Sequence, residues 1–290
     1  MNRNILVTGA TGYLGSRFLD KLLKNNYQIC VVKRETSDIS KIMSLSAEVK
    51  FYNNDEVSIK NLFQENDIEM IVHIATLYGR KGETMFQIKE ANLDFPLLIL
   101  KYAIDNNVKY FINTGTSLPY LTNQYSLFKN QFSECLEFHS SNITTINILL
   151  EHFYGPGDDD SKFITSMIGK MKSNIDKIEL TEGIQLRDFI FIEDVLDAYF
   201  FIINNINKFK GYNNLPLGSG ETVTIKGVVE TIKEITSSTS DLLFGNIPMR
   251  SNELMCSDAD ISILNGLGWT PKFNLNEGLK MTVESYNKIL

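Results

Sequence analysis

Three glycines spaced three apart, directly after a β-branched run, constrain this chain more than any other feature. Ile5-Leu6-Val7-Thr8-Gly9-Ala10-Thr11-Gly12-Tyr13-Leu14-Gly15 reads as a strand entering a tight turn. Phe18-Leu19 and Leu22-Leu23 then repeat at helical spacing beside Arg17, Asp20, Lys21 and Lys24. Strand, turn and helix are the opening half of a βαβ unit. The glycines have separate tasks. Gly9 permits the turn, Gly12 lets backbone amides approach a diphosphate, and Gly15 lets the helix pack against its strand. Unpaired N–H groups and the dipole at the helix start favour that anion. Thr11, Tyr13 and Leu14 complete the expected phosphate-binding turn.

The pattern continues downstream. Gln28–Val32 and Val49–Tyr52 read as strands, and Ile59, Leu62 and Phe63 mark a covering helix. Met70-Ile71-Val72-His73-Ile74-Ala75 is a continuous apolar run, as in a strand buried on both faces. Met85 to Asn106 is helical by period, with Pro96 able to start a second helix or kink a long one. Lys109–Asn113 and Thr144–Leu150 are further strands, separated by a helical pattern from Tyr125 to Ser140. Alternation from Ile5 to Leu150 spells an α/β fold with a doubly wound parallel sheet. From Glu151 the texture changes to turn-rich loops with scattered helices and strands, the last helix spanning Glu277–Ile289. Residues 1–150 are therefore expected to form a dinucleotide-binding domain, with 190–215 rejoining it. Residues 151–290 supply a smaller, interleaved C-terminal lobe for substrate.

Composition removes several function classes. A net charge of −7 with no basic arm or stripe argues against a nucleic-acid partner. The longest apolar run, Phe95–Leu100, is broken by Pro96 and too short to span a bilayer. The N-terminus enters a strand without a charged-then-apolar leader, so no export signal is expected and the cytoplasm is the expected compartment. Cys30, Cys135 and Cys256 suit a reducing compartment, and with the histidines equally scattered no metal site is expected.

Cofactor choice should be set at the end of the second strand. An acid there would bind a ribose 2′-hydroxyl; Lys33-Arg34 stands there instead, which suits the 2′-phosphate of NADP. Asn54-Asp55 falls near the end of the third strand, where adenine is contacted, and small residues Ala75 and Thr76 leave room for the cofactor. Of twelve tyrosines, only Tyr125 is followed four positions later by a lysine, Lys129. On a helix those positions share a face. An ammonium beside a phenol would lower its pKa from about 10 and make it a usable acid. Thr116, in the hydroxyl-rich loop Thr114-Gly115-Thr116-Ser117, would hydrogen-bond a carbonyl oxygen as it gains charge. Hydride transfer to a ketone follows, with Tyr125 delivering the proton.

These pieces together resemble the extended short-chain dehydrogenases/reductases, with a Rossmann-type fold. The likeness rests on Thr8–Gly15, His73-Ile74-Ala75, Asn92, Thr116, Tyr125…Lys129, Tyr154-Gly155-Pro156-Gly157 and Arg187-Asp188-Phe189-Ile190. It implies a nucleotide-activated sugar as substrate, with Arg187 and Arg250 clamping its diphosphate. Within the family, Leu150-Glu151-His152-Phe153-Tyr154 and Asn252-Glu253-Leu254-Met255 are similar to the CDP-abequose and CDP-paratose synthase branch. That branch implies reduction at C4 of a CDP-4-keto-3,6-dideoxyhexose with NADPH. Tyr78, Ser117, Glu151, His152, Lys162, Arg187, Arg250 and Glu253 are the substrate-binding residues it implies, and a homodimer is the implied assembly. Two departures are visible. Only eight residues separate Thr116 from Tyr125, and Leu149 stands where many members carry Arg.

Several alternatives are weighed on residues. Ser117-Leu118 replaces the Asp-Glu pair that a sugar 4,6-dehydratase carries after its Thr. Lys33-Arg34 argues against an epimerase that holds NAD permanently, and no cysteine stands near Leu118 as in an epimerase-reductase of the GDP-fucose type. A dTDP- or GDP-linked 4-keto-6-deoxy sugar stays open as substrate, as does an NADP-sensing protein without turnover.

Overall fold

The computed structural model describes residues 4–286, in two compact units. The first runs to Leu149 and takes in Ile202–Leu215. It is built on strands β1 (Asn4–Thr8), β2 (Gln28–Lys33), β3 (Val49–Asn53), β4 (Met70–His73), β5 (Tyr110–Thr114) and β6 (Thr144–Leu150). These are ordered β6-β5-β4-β1-β2-β3, all pairs parallel, and Tyr212–Leu217 adds a seventh strand beside β6. The chain winds outward from β1 to β3, then returns to start β4 on the other side of β1. Such a reversal leaves a crevice at the carboxyl ends of the two central strands, where ligands of open α/β sheets bind.

Burial explains these strands. Every residue of β4 is inaccessible, as the unbroken apolar run requires of a strand covered on both faces. Helix α1 (Tyr13–Lys24) turns Phe18, Leu19 and Leu22 fully inward and leaves Lys21 and Lys24 in its last turn, where cations suit the helix dipole. Helix α2 (Glu56–Glu65) covers the sheet with Ile59, Leu62 and Phe63. The expected helix from Met85 to Asn106 is divided. A short α3 (Met85–Lys89) passes through a π-helical turn, Glu90–Asp94, into α4 (Phe95–Asp105), with Pro96 in its first turn. Pro96 therefore starts a helix, where its missing N–H costs nothing. Helix α5 (Gln124–Phe138) opens on a capping box between Asn123 and Ser126. Phe111 of β5 and Phe132 of α5 meet in the core at 5.8 Å between ring centres.

The second unit comprises Leu150–Phe201 and the chain from Pro216 onward. Its central strand, Leu186–Phe191, pairs antiparallel with Thr222–Thr224 and parallel with Cys256–Ser257 and His152–Tyr154. Within 190–215, residues 190–201 group with the second unit, where Ile190 and Phe191 pair with Phe153 and Tyr154, and residues 202–215 group with the first. Helices Phe163–Lys172 and Leu275–Tyr286 both pack on Ile225–Thr236. Residues 287–289 of the expected last helix lie outside the described residues. Among the described residues, no helix is long and apolar enough to cross a membrane.

Candidate active site

The crevice of the first unit begins at Gly9. Its φ of +74° is costly for any side chain, and a Cβ there would stand 2.5 Å from the amide nitrogen of Ala75. A Cβ on Gly15 would meet Gly9 O at 2.1 Å, so α1 lies directly on the turn. No side chain caps the first turn of α1, whose N-cap is Gly12. A dinucleotide diphosphate fits this cradle: it needs close backbone approach and an uncapped helix start. Thr11, Tyr13 and Leu14 lie on the turn and the first helical turn as expected.

Lys33 and Arg34 follow β2 at the same edge. Lys33 is half-buried, its Nζ 3.5 Å from Arg34 O, and Arg34 is exposed. Lys33 stands in register with Asn53 of β3, so Asn54 and Asp55 come to the same end of the sheet. Asp55 has a structural task as well. It caps α2, accepting from Ser58 N at 2.9 Å and Ser58 Oγ at 2.6 Å, and these bonds hold its carboxyl below the usual range.

The catalytic candidates gather beyond β5. The Thr116 and Thr76 hydroxyls act on the Tyr125 phenol to favour its ionised form, against the burial that opposes it. Thr116 Oγ1 also accepts from Leu118 N at 3.2 Å, which frees its proton for another acceptor. Lys129 is 1% exposed and donates to Thr114 O at 2.8 Å. Burial drives its pKa down to about 7. Burial likewise pushes Tyr125 up, and the groups pulling it back are Thr116, Thr76 and Arg80. Desolvation favours the neutral form of both groups, and the Lys129 ammonium is spent on a carbonyl. Tyr78 tilts its ring onto Tyr125 with 5.0 Å between centres, and Ser117 is half-buried in the loop after Thr116.

Two supports escaped the sequence reading as functional parts. Asn92, in the π-helical turn, is fully buried and stitches the segment after Ala75 in place. Its Oδ1 accepts from Thr76 Oγ1 and Leu77 N, and its Nδ2 donates to Leu77 O and Ile88 O. The second is a polar row across the sheet: Thr8, His73, Asn113 and Asn147 stand side by side in register. Thr8 Oγ1 lies 2.8 Å from His73 Nδ1 and accepts from Ala75 N at 3.4 Å, so the row is tied to the segment after β4. Burial, and secondly the Lys129 charge, keep that ring neutral. Asn92 was visible as a motif residue; the row shows only once the register is known.

The second unit holds the other substrate candidates. Glu151 is buried, and Ser257 Oγ contacts its two carboxylate oxygens at 2.8 and 3.0 Å. His152 Nδ1 is 3.2 Å from Glu151 Oε2, and its ring meets Phe189 edge-on. Arg187 donates to Leu186 O and, at 2.7 Å, to Glu253 Oε1. Arg250 is exposed, with its carbonyl accepting from Glu253 N. Lys162 pairs with the buried Asp158 at 3.0 Å and sits 3.7 Å above the Phe153 ring. Asp188, carried along as a motif residue, pins a loop: its carboxylate accepts from Ser219 N, Ser219 Oγ and Gly220 N.

The profile of the NAD dependent epimerase/dehydratase family matches residues 5–218. The chain belongs to that family. The family uses a nicotinamide dinucleotide, and its members are extended short-chain dehydrogenases/reductases. Among curated relatives, a CDP-abequose synthase of Salmonella muenchen is 32% identical over 97% of both chains. One from Salmonella typhimurium is 30% identical over 95% of this chain and 96% of its own. Among solved structures, a UDP-glucose 4-epimerase from Thermotoga maritima shares the fold, with a TM-score of 0.85, 24% identity and 99% of both chains covered.

Proposed function

We propose that this family member reduces the C4 ketone of a nucleotide-linked 4-keto-deoxy sugar, namely a CDP-4-keto-3,6-dideoxyhexose, with NADPH. The observation that carries the reading is buried Tyr125 with buried Lys129 one turn along the same helix, downstream of the Gly9–Gly15 turn and of Thr116 just past the end of β5. The Salmonella CDP-abequose synthases supply the CDP sugar, and Lys33-Arg34 the preference for NADPH.

The dinucleotide, held by the Gly9–Gly15 turn, supplies the hydride when bound. Tyr125 gives its proton to the ketone oxygen as that oxygen gains charge, which ends the step as an alcohol and a phenolate. Thr116 donates a hydrogen bond to the same oxygen, having its own acceptor need met by Leu118 N. Lys129, with a pKa about 7, exchanges a proton near neutrality and so suits restoring the phenol. In the first unit Tyr78 and Ser117 are assigned to the substrate. In the second, Glu151, His152, Lys162, Arg187, Arg250 and Glu253 are. Arg187 arrives paired to Glu253, so it binds a diphosphate by sharing or exchanging that partner.

The test is to incubate the protein and NADPH with CDP-, dTDP-, GDP- and UDP-linked 4-keto sugars and follow loss of the NADPH absorbance. Fast oxidation with the CDP ketone is expected. Preference for another nucleotide would remove the CDP assignment, and silence with all four would leave an NADP-binding sensor.

A further inference from the structure

We propose that Arg80 is a positioning residue for Tyr125: seated over the Tyr78 ring, which itself packs on Tyr125, its guanidinium anchors that ring and adds a positive charge to the phenol's surroundings. The inference deepens the ketoreductase reading and rests on it for its consequence in turnover.

The geometry is built from the buried side outward. Asn92 fixes Thr76 and Leu77 through three hydrogen bonds and ties itself to Ile88 O by a fourth, which sets the direction in which the chain leaves β4. Tyr78 then lies over Tyr125, ring centres 5.0 Å apart and planes inclined by 45°. At Gly79 the backbone takes φ +72°, and a Cβ there would strike Ile88 Cδ1 at 2.6 Å. That bend folds the chain back, so that Arg80 Cζ sits 4.9 Å from the centre of the Tyr78 ring. Arg80 and Tyr125 thus share Tyr78 as a neighbour, and cation–π attraction holds the guanidinium on that ring.

The surroundings leave Arg80 this role. Helix α3 and the π-helical turn face Tyr125 with Ile88 and Leu93, which are apolar, and the loop before α5 adds Leu118. The polar groups acting on the phenol are Thr116 and Thr76. Lys129, the cation nearest along the helix, is committed to Thr114 O. Among the described residues, Arg80 is the charged side chain that acts to lower the Tyr125 pKa, against the burial that raises it. Arg80 is exposed, so its replacement leaves the core untouched, and its influence should fade with added salt.

The experiment labels the protein with [ζ-¹³C]tyrosine, identifies the Tyr125 resonance by its loss in Tyr125→Phe, and titrates it with cofactor absent and with NADP⁺ present. Arg80→Gln should raise the Tyr125 midpoint by about half to one unit, the scale of a neighbouring charge at a partly exposed position. Arg80→Lys should restore most of that shift, Tyr78→Leu should reproduce it by releasing the guanidinium, and 0.5 M NaCl should move wild type toward Arg80→Gln. In turnover, the alkaline limb of kcat/KM for reduction should move up by the same interval, with kcat several-fold lower at pH 7. An unchanged Tyr125 midpoint in Arg80→Gln overturns the proposal. So does a rise in KM alone, which would make Arg80 a substrate contact. Because the resonance needs no substrate, a shifted midpoint in a protein that reduces none of the ketones removes the ketoreductase reading and leaves Arg80 in place.

Discussion

Replacing Lys129 by methionine should stabilise the cofactor-free protein while abolishing its turnover. Lys129 is 1% exposed and its pKa falls from the ordinary 10.5 to about 7. At 1.36 kcal/mol per unit, burying the ammonium costs about 4–5 kcal/mol at and below neutrality. Methionine fills a similar volume without a charge. The lost hydrogen bond to Thr114 O offsets about 1–3 kcal/mol of the gain, leaving a net of about 2 kcal/mol. For a unit of this size that is a rise of about 5 °C in Tm. The sign with pH follows from proton uptake. Between pH 7 and 10.5 the unfolded lysine is protonated and the folded one is not, so wild-type stability climbs with pH and the variant's advantage shrinks. Thermal unfolding of both proteins at pH 6, 7.5 and 9 checks this. A variant that melts no higher than wild type at pH 6, or a gap that stays constant to pH 9, would refute the argument that Lys129 is held as a strained, desolvated cation.

Tyr125→Phe should keep the fold and cofactor binding but lose about 100-fold or more in kcat, the usual share of a general acid, whereas Thr116→Val should lose less; single-turnover rates with NADPH check both. Lys33→Ala with Arg34→Ala should raise the KM for NADPH and leave that for NADH nearly unchanged; equal use of both cofactors by wild type would make the two cations bystanders. We further propose a homodimer, since α4 and α5 carry half-buried Leu97, Leu98 and Leu127 with exposed Phe138; light scattering should give twice the chain mass, and a monomer at micromolar concentration would count against it.

The parallel sheet was legible because its strands are buried on both faces and so read as unbroken apolar runs: β4 is the clearest, at Met70–His73. The glycine turn was legible for a different reason, since its strand and helix are adjacent in sequence and a Cβ on Gly15 would strike Gly9 O. The second unit was harder. His152–Tyr154, Thr222–Thr224 and Cys256–Ser257 are strands of two or three residues whose existence depends on Leu186–Phe191 lying between them, a long-range fact no local pattern carries. Pairing of Tyr125 with Lys129 could be read from helical spacing, but its electrostatics could not. Spacing places the two side chains on one face; only burial shows that both are driven toward neutrality. Arg80 fell outside any motif, and its place over Tyr78 depends on the bend at Gly79 and the four bonds of Asn92.

The central claim is net reduction at C4, and isotope transfer tests it most directly. The protein is supplied with the CDP-4-keto-3,6-dideoxy sugar and NADPH deuterated at the nicotinamide C4 position that donates the hydride, and the sugar product is read by NMR. The account expects one deuterium on C4 of the sugar for each NADPH oxidised, with a new hydroxyl on that carbon. A sugar recovered with changed stereochemistry but no deuterium and no net oxidation of NADPH would contradict it.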